Sequence, residues 1–174
     1  DSSKFTEPLV QFSGVEQQIR SNKQLETLIS ATNSNAGAAL SGYLGQQAEI
    51  DSSGAAYTGG EVHWRYTLPA DATSTTVTVT DAKGKVVYSK TGELAAGSHD
   101  FKWNGELIGG ETADEGTPYW ISVVAEDANK KAITPLHSLV TTITGVDLTY
   151  GEPALTTPVG VFAYADVKRL MRNP

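Results

Sequence analysis

The sequence predicts a mainly β protein: a β-sandwich inserted into a small split barrel, with an amphipathic α-helix in front. Three observations carry this. Runs such as Thr75-Thr76-Val77-Thr78-Val79-Thr80 alternate apolar and polar residues, the period of a half-buried antiparallel strand. Turn-forming clusters such as Pro69-Ala70-Asp71, Asp81-Ala82-Lys83-Gly84 and Asp127-Ala128-Asn129-Lys130 separate these runs. The first third lacks that alternation and is rich in Gln, Glu, Lys and Leu, which favour helix.

The helix comes first. Its start has two readings. Ser13-Gly14-Val15-Glu16 fits a capping box, in which the two side chains satisfy orphan N–H groups. Pro8 fits the first turn of an earlier start near Thr6. Phe12, Val15, Ile19, Leu25, Leu28 and Ile29 form one broad apolar stripe. Asn33-Ser34-Asn35-Ala36-Gly37 reads as a breaker and linker.

Strands follow. Leu44–Ile50 and Ala55–Tyr57 precede the sandwich, and 146–150 and 159–164 follow it. Neither flank holds enough strands for its own core, so the two are expected to pair with each other. The sandwich strands are 62–68, 75–80, 86–88, 99–103 and 119–125, with 139–143 beyond them. The expected division is a helical segment at 1–35, a discontinuous β domain at 36–59 and 133–174, and the inserted sandwich at 60–132. Asp166 to Arg172 reads as a last helical turn, whose cations complement the dipole, or as a small contact patch.

Composition narrows the function. The chain has 174 residues and no cysteine, which removes disulfides, Cys-ligated metals and cysteine nucleophiles. A net charge of −7 disfavours nucleic acid and anionic membranes as partners. No apolar run is long enough to span a bilayer as a helix. His63, His99 and His137 form no metal-binding spacing and read as ordinary residues. Glu106, Glu111, Asp114 and Glu115 are the one acidic cluster; they match no EF-hand and read as a solvated loop. Tyr43, Tyr57, Tyr150, Phe162 and Tyr164 would make a cation cage if open to solvent, but core packing is the more frequent explanation for such residues. Trp64, Trp103 and Trp120 are assigned to the sandwich core or its rim. No catalytic, cofactor or metal site is assembled, so a binding or structural role is expected rather than an enzyme.

Three segments resemble the flagellar hook-capping protein family. Gln11-Phe12-Ser13-Gly14-Val15-Glu16-Gln17 is similar to its Q-F-S-x-V-E-Q helix motif. Trp103-Asn104-Gly105, Gly109-Gly110 and Gly116-Thr117-Pro118-Tyr119 resemble the motifs of its immunoglobulin-like insert, with one residue added to the usual G-x-Y. Asp166-Val167-Lys168-Arg169 resembles its C-terminal ending. The resemblance implies a fibronectin type III/Ig-like sandwich inserted into a discontinuous Tudor-like barrel. It implies a core lacking the family's upstream N-terminal segment. It also implies a scaffold, exported by the flagellar type III apparatus, that caps the distal end of the growing hook and promotes polymerisation of hook subunits. Expected partners are further copies of the chain, the hook subunit and the export apparatus. Phe12, Val15, Ile19, Leu25, Leu28 and Ile29 are assigned to self-association, with packing on the chain's own barrel as the even alternative. The competing readings are a secreted fibronectin-like binding module, which needs an exposed aromatic platform, and a Tudor-like reader of a methylated partner.

Overall fold

The computed structural model describes residues 3–149 and 152–171, and leaves the side chains of 3–14, 33 and 36 undescribed. The chain opens with α1 (Ser3–Ser41). It continues through β1 (Gln47–Ile50), β2 (Gly54–Ala56), β3 (Val62–Leu68), β4 (Ser74–Thr80), β5 (Val86–Thr91), β6 (Gly97–Trp103) and β7 (Pro118–Glu126). Then come β8 (Ala132–Ile133), β9 (Leu136–Thr142), β10 (Gly145–Asp147), β11 (Ala154–Thr157) and β12 (Gly160–Ala163). A 3-10 turn (Tyr164–Asp166) leads into β13 (Val167–Met171).

Two sheets form the sandwich. One runs β13-β1-β9-β3-β6, the other β2-β7-β4-β5 with β8 beside β7, and all described pairings are antiparallel. Alternation decides which side chains go inside. Val62, Trp64, Tyr66 and Leu68 of β3 are buried, as are Val77 and Val79 of β4 and Tyr119, Ile121 and Ala125 of β7. The layers meet through aromatic rings: Trp103 lies 4.9 Å from Tyr119, edge-on, and Phe101 lies 6.1 Å from Tyr88. Trp64 and Trp103 therefore belong to the core, while Trp120 lies half-buried over Gly54, where a Cβ would come within 2.6 Å of its Nε1.

The Trp-Asn-Gly motif is a structural corner. Gly105 has φ +85, and a Cβ there would lie 2.4 Å from the Tyr57 ring. Only glycine combines that backbone with that approach. Tyr57 donates its hydroxyl to Asn104 O (3.1 Å), and Trp103 Nε1 donates to Glu106 O (2.8 Å).

Several expectations are corrected. The helix starts ten residues before the capping box, so Ser13 and Glu16 lie within it rather than at its mouth. It also runs through the expected linker at 33–37. Thr27, Thr32 and Ser34 donate hydroxyls to carbonyls three or four residues back, all four in these cases, so their polar groups compete little with the helix. Gly37 serves packing: it is buried, and a Cβ there would lie 2.6 Å from Leu148 Cδ1. Leu40 is buried beside this contact, and α1 meets the body against β10.

Ala55–Tyr57 pairs as β2 with β7 of the sandwich and touches the C-terminal flank through one backbone hydrogen bond, from Ala56 N to Val159 O (2.9 Å). The flanks do meet across the insert, through β1 and β13. Strands β8 and β11 were not anticipated. The C-terminal run is a strand rather than a helical turn, because alternation puts Arg169 opposite Glu49 in the ladder. β10, β11 and β12 form a separate three-stranded sheet.

Candidate assembly surface

The apolar stripe of α1 is uncovered. Val15, Ile19, Leu25, Leu28 and Ile29 are 57–64% exposed. Phe12, the sixth stripe residue, lies in the helical span, and its side chain falls outside the described residues. Geometry explains the exposure. A helix of 39 residues reaches about 58 Å at 1.5 Å per residue, and among its described residues the buried ones, Gly37 and Leu40, lie at its C-terminal end. The Glu16–Arg20 pair, 3.8 Å apart and exposed, adds little stability. The described apolar side chains of α1 ahead of Gly37 stand open to solvent.

A second feature was invisible to motif reading. The outer face of the β13-β1-β9-β3-β6 sheet carries a ladder of charges spread over five strands. Glu49 on β1 is 8% exposed. It accepts hydrogen bonds from Arg169 on β13, Arg65 on β3 (3.2 Å) and Ser138 on β9 (2.7 Å). Arg65 also binds Asp100 on β6 (2.8 Å), which contacts His63 Nε2 at 2.9 Å. Lys168 reaches Asp51 at 3.1 Å. Burial raises the Glu49 pKa, but hydrogen bonds from Arg169 and Ser138 and the charges of Arg169 and Arg65 outweigh it, and the net shift is downward. Asp100 is shifted the same way: burial opposes the ionised form, while His63 and Arg65 favour it and prevail. The partners come from positions 49, 65, 100, 138 and 169, and only the strand register brings them together. No sequence spacing announces such a set.

The remaining candidates separate. Glu106, Glu111, Asp114 and Glu115 are all exposed, as a solvated loop requires. Among the described residues no group of three or more His, Asp and Glu side chains is placed to hold a metal ion. His99 contacts Ala95 O (2.7 Å) and stacks near Tyr66; Lys168 donates to the His137 carbonyl (3.1 Å). Tyr57 is buried against Trp103 and Tyr164 is exposed, so these two do not share a cage; Tyr150 lies outside the described residues. No described helix is long and apolar enough to cross a membrane.

Fold and surface together define a class: a mainly β protein built on an immunoglobulin-like sandwich, carrying a projecting helix with an uncovered apolar stripe. Residues 51–129 match the family model of the FlgD Ig-like domain. Two solved structures share the fold. FlgD from Xanthomonas campestris is 21% identical with a TM-score of 0.66, over 75% of this chain and 97% of that one. FlgD from P. aeruginosa is 22% identical with a TM-score of 0.58, over 72% of this chain and 96% of that one. The hook capping of the X. campestris protein is described as essential for flagellar assembly. None of the curated proteins matches the chain.

Proposed function

We propose that this chain is a structural scaffold that caps the tip of the growing flagellar hook and promotes polymerisation of hook subunits. Its work is done by surfaces: one that joins copies of the chain and one that meets the hook subunit. The observation that carries the reading is the FlgD Ig-like match at 51–129 on a chain whose α1 stripe stands in solvent. The X. campestris description of hook capping supports it. On this reading the protein is made in the cytoplasm, passes the flagellar export apparatus and works at the distal end of the hook.

Self-association falls to Val15, Ile19, Leu25, Leu28 and Ile29, with Phe12 continuing the stripe. Burying each of these large apolar side chains stabilises by about 1.5–3 kcal/mol relative to exposure. Light scattering across a dilution series tests this, comparing the native chain with Ile19→Asp/Ile29→Asp. The native chain is expected to form an oligomer that the double variant reduces to monomer. Hook growth in cells carrying the double variant is expected to stop. A native chain that stays monomeric at every concentration, or a variant that retains full mass, overturns the helix assignment.

A further inference from the structure

The Trp-Asn-Gly corner contains a chemically reactive step. Asn104 is the only asparagine in the chain followed by glycine; the others precede Lys, Ser, Ala or Pro. Glycine has no side chain to shield its backbone nitrogen, so that nitrogen can attack the neighbouring side-chain amide. The Gly105 nitrogen bonds to Asn104 Cγ, the Cγ–Nδ2 bond breaks, and ammonia leaves with the proton that Gly105 gives up. Water then opens the succinimide at either carbonyl, and nothing is oxidised or reduced. One opening leaves aspartate. The other leaves isoaspartate, whose main chain runs through the former side chain and is one carbon longer.

We infer that Asn104 is a modification site gated by folding: the closed corner withholds it, and it converts when the corner is open. Access to water is not the restraint, because the Asn104 side chain is exposed. Geometry is. Ring closure needs Asn104 Cβ eclipsed with the Gly105 nitrogen, a ψ outside both the α and the β regions. Reaching it swings the Asn104 carbonyl away from the Tyr57 hydroxyl, which donates to it at 3.1 Å. Tyr57 cannot follow, since it is 4% exposed and packed against Trp103. Asn104 Oδ1 is engaged as well, accepting from Glu106 N (3.1 Å), and Gly105 O accepts from Ala113 N (2.8 Å). The two products then have different fates. Aspartate at position 104 keeps the main chain and still offers an Oδ1 to Glu106 N. Isoaspartate adds a main-chain carbon beside Gly105, where even a Cβ would lie 2.4 Å from the Tyr57 ring, so the corner does not close again. Position 104 therefore records the time the chain has spent unfolded.

The test incubates the full chain in mildly alkaline buffer, folded or unfolded in guanidinium chloride. Peptide mass mapping follows the exchange of amide for carboxylate, and enzymatic methylation counts isoaspartate. Conversion at Asn104 is expected to be at least about tenfold slower in the folded chain, because it must wait for local opening. Tyr57→Phe keeps the ring and frees the Asn104 carbonyl. It is expected to raise the folded-chain rate about threefold, with folding checked by circular dichroism. After dilution from denaturant, aspartate-bearing chains are expected in the folded fraction and isoaspartate-bearing chains outside it. Equal rates in the folded and unfolded chain overturn the gating. A folded Tyr57→Phe chain that converts at the native rate overturns the part given to the Tyr57 hydroxyl. Isoaspartate recovered in the folded fraction in the same proportion as aspartate overturns the difference in fate. An unfolded chain in which Asn104 converts no faster than Asn129, which precedes Lys130, overturns the site itself.

Discussion

Five large apolar side chains of α1 stand in solvent, while Val62 and Leu68 of β3, Val77 and Val79 of β4 and Ile121 of β7 are buried to a few per cent exposure. The two regions use apolar surface for different ends. In the sandwich, two facing sheets remove it from water within one chain. On α1, among the described residues, burial is confined to Gly37 and Leu40. Stability and assembly are therefore separable. A change to the body should alter unfolding, and a change to the stripe should alter association.

The largest effect expected on the body is that of Trp103→Ala. Trp103 is 1% exposed and contacts the rings of Tyr57, Trp64 and Tyr119. Truncation leaves a cavity and is expected to cost about 4 kcal/mol, read as a lowered urea midpoint. The matched expectation is that Ile19→Asp/Ile29→Asp leaves that midpoint within about 0.5 kcal/mol of native, because exposed sites far from the core change stability little. A large drop for the stripe variant would show that α1 is part of the cooperative unit and would break the separation.

Two glycines sharpen the comparison. Gly105 sits in the body at φ +85 with the Tyr57 ring 2.4 Å from a hypothetical Cβ, and Gly105→Ala is expected to cost about 3 kcal/mol. Gly37 sits at the foot of the helix, and its nearest obstacle is Leu148 Cδ1, the movable end of a side chain. Gly37→Ala also gains helix propensity of about 1 kcal/mol. Strain and propensity there roughly cancel, so thermal unfolding of Gly37→Ala is expected to match the native chain.

The charge ladder gives a pH signature. Glu49 and Asp100 have folded pKa values below their ordinary ones. They contribute stability that is fully present above the ordinary carboxylate range and is lost as pH falls through their folded values. Unfolding free energy should therefore decline as pH drops below about 4. Glu49→Gln keeps the shape and removes the charge, and is expected to cost about 2 kcal/mol at neutral pH, since Arg65 is then left with Asp100 alone. The variant should also show a shallower acid decline. An unchanged slope would mean that the ladder contributes no linkage.

Much of the body was legible because alternation is local. β3 was read at its observed limits, 62–68, and Val77 and Val79 were placed on one face. The apolar stripe was legible for the same reason, since helical spacing also lies within a few residues. What escaped depended on distant pairing. Gly37 looked like a linker because its reason, Leu148, is over a hundred residues away. Lys168 and Arg169 looked like helix-end cations because their partners, Asp51 just past β1 and Glu49 on it, are brought opposite them only by strand register. The capping box misled because its chemistry needs a chain that leaves the helix upstream, and here the helix continues.

The smallest expected effect compares two turns built alike. Asp81 accepts from Lys83 N and Lys85 N at 2.9 Å, and Asp127 accepts from Asn129 N (2.8 Å) and Lys131 N (2.9 Å). The backbone closes the same way in both: Asp81 N donates to Lys85 O and Asp127 N to Lys131 O, each at 3.0 Å. The fourth position differs. Gly84 has φ +78, and Lys130 has φ 60. A side chain in that region costs about 1 kcal/mol, whereas glycine adopts it freely. Glycine also loses more chain entropy on folding, so Lys130→Gly is expected to gain only about 0.5 kcal/mol. Gly84→Lys should lose about as much. Chemical denaturation of both variants measures the pair, and equal and opposite shifts would show that the two turns are energetically equivalent as well as alike in shape. If Lys130→Gly destabilises instead, the Lys130 side chain makes a contribution that the turn geometry does not contain.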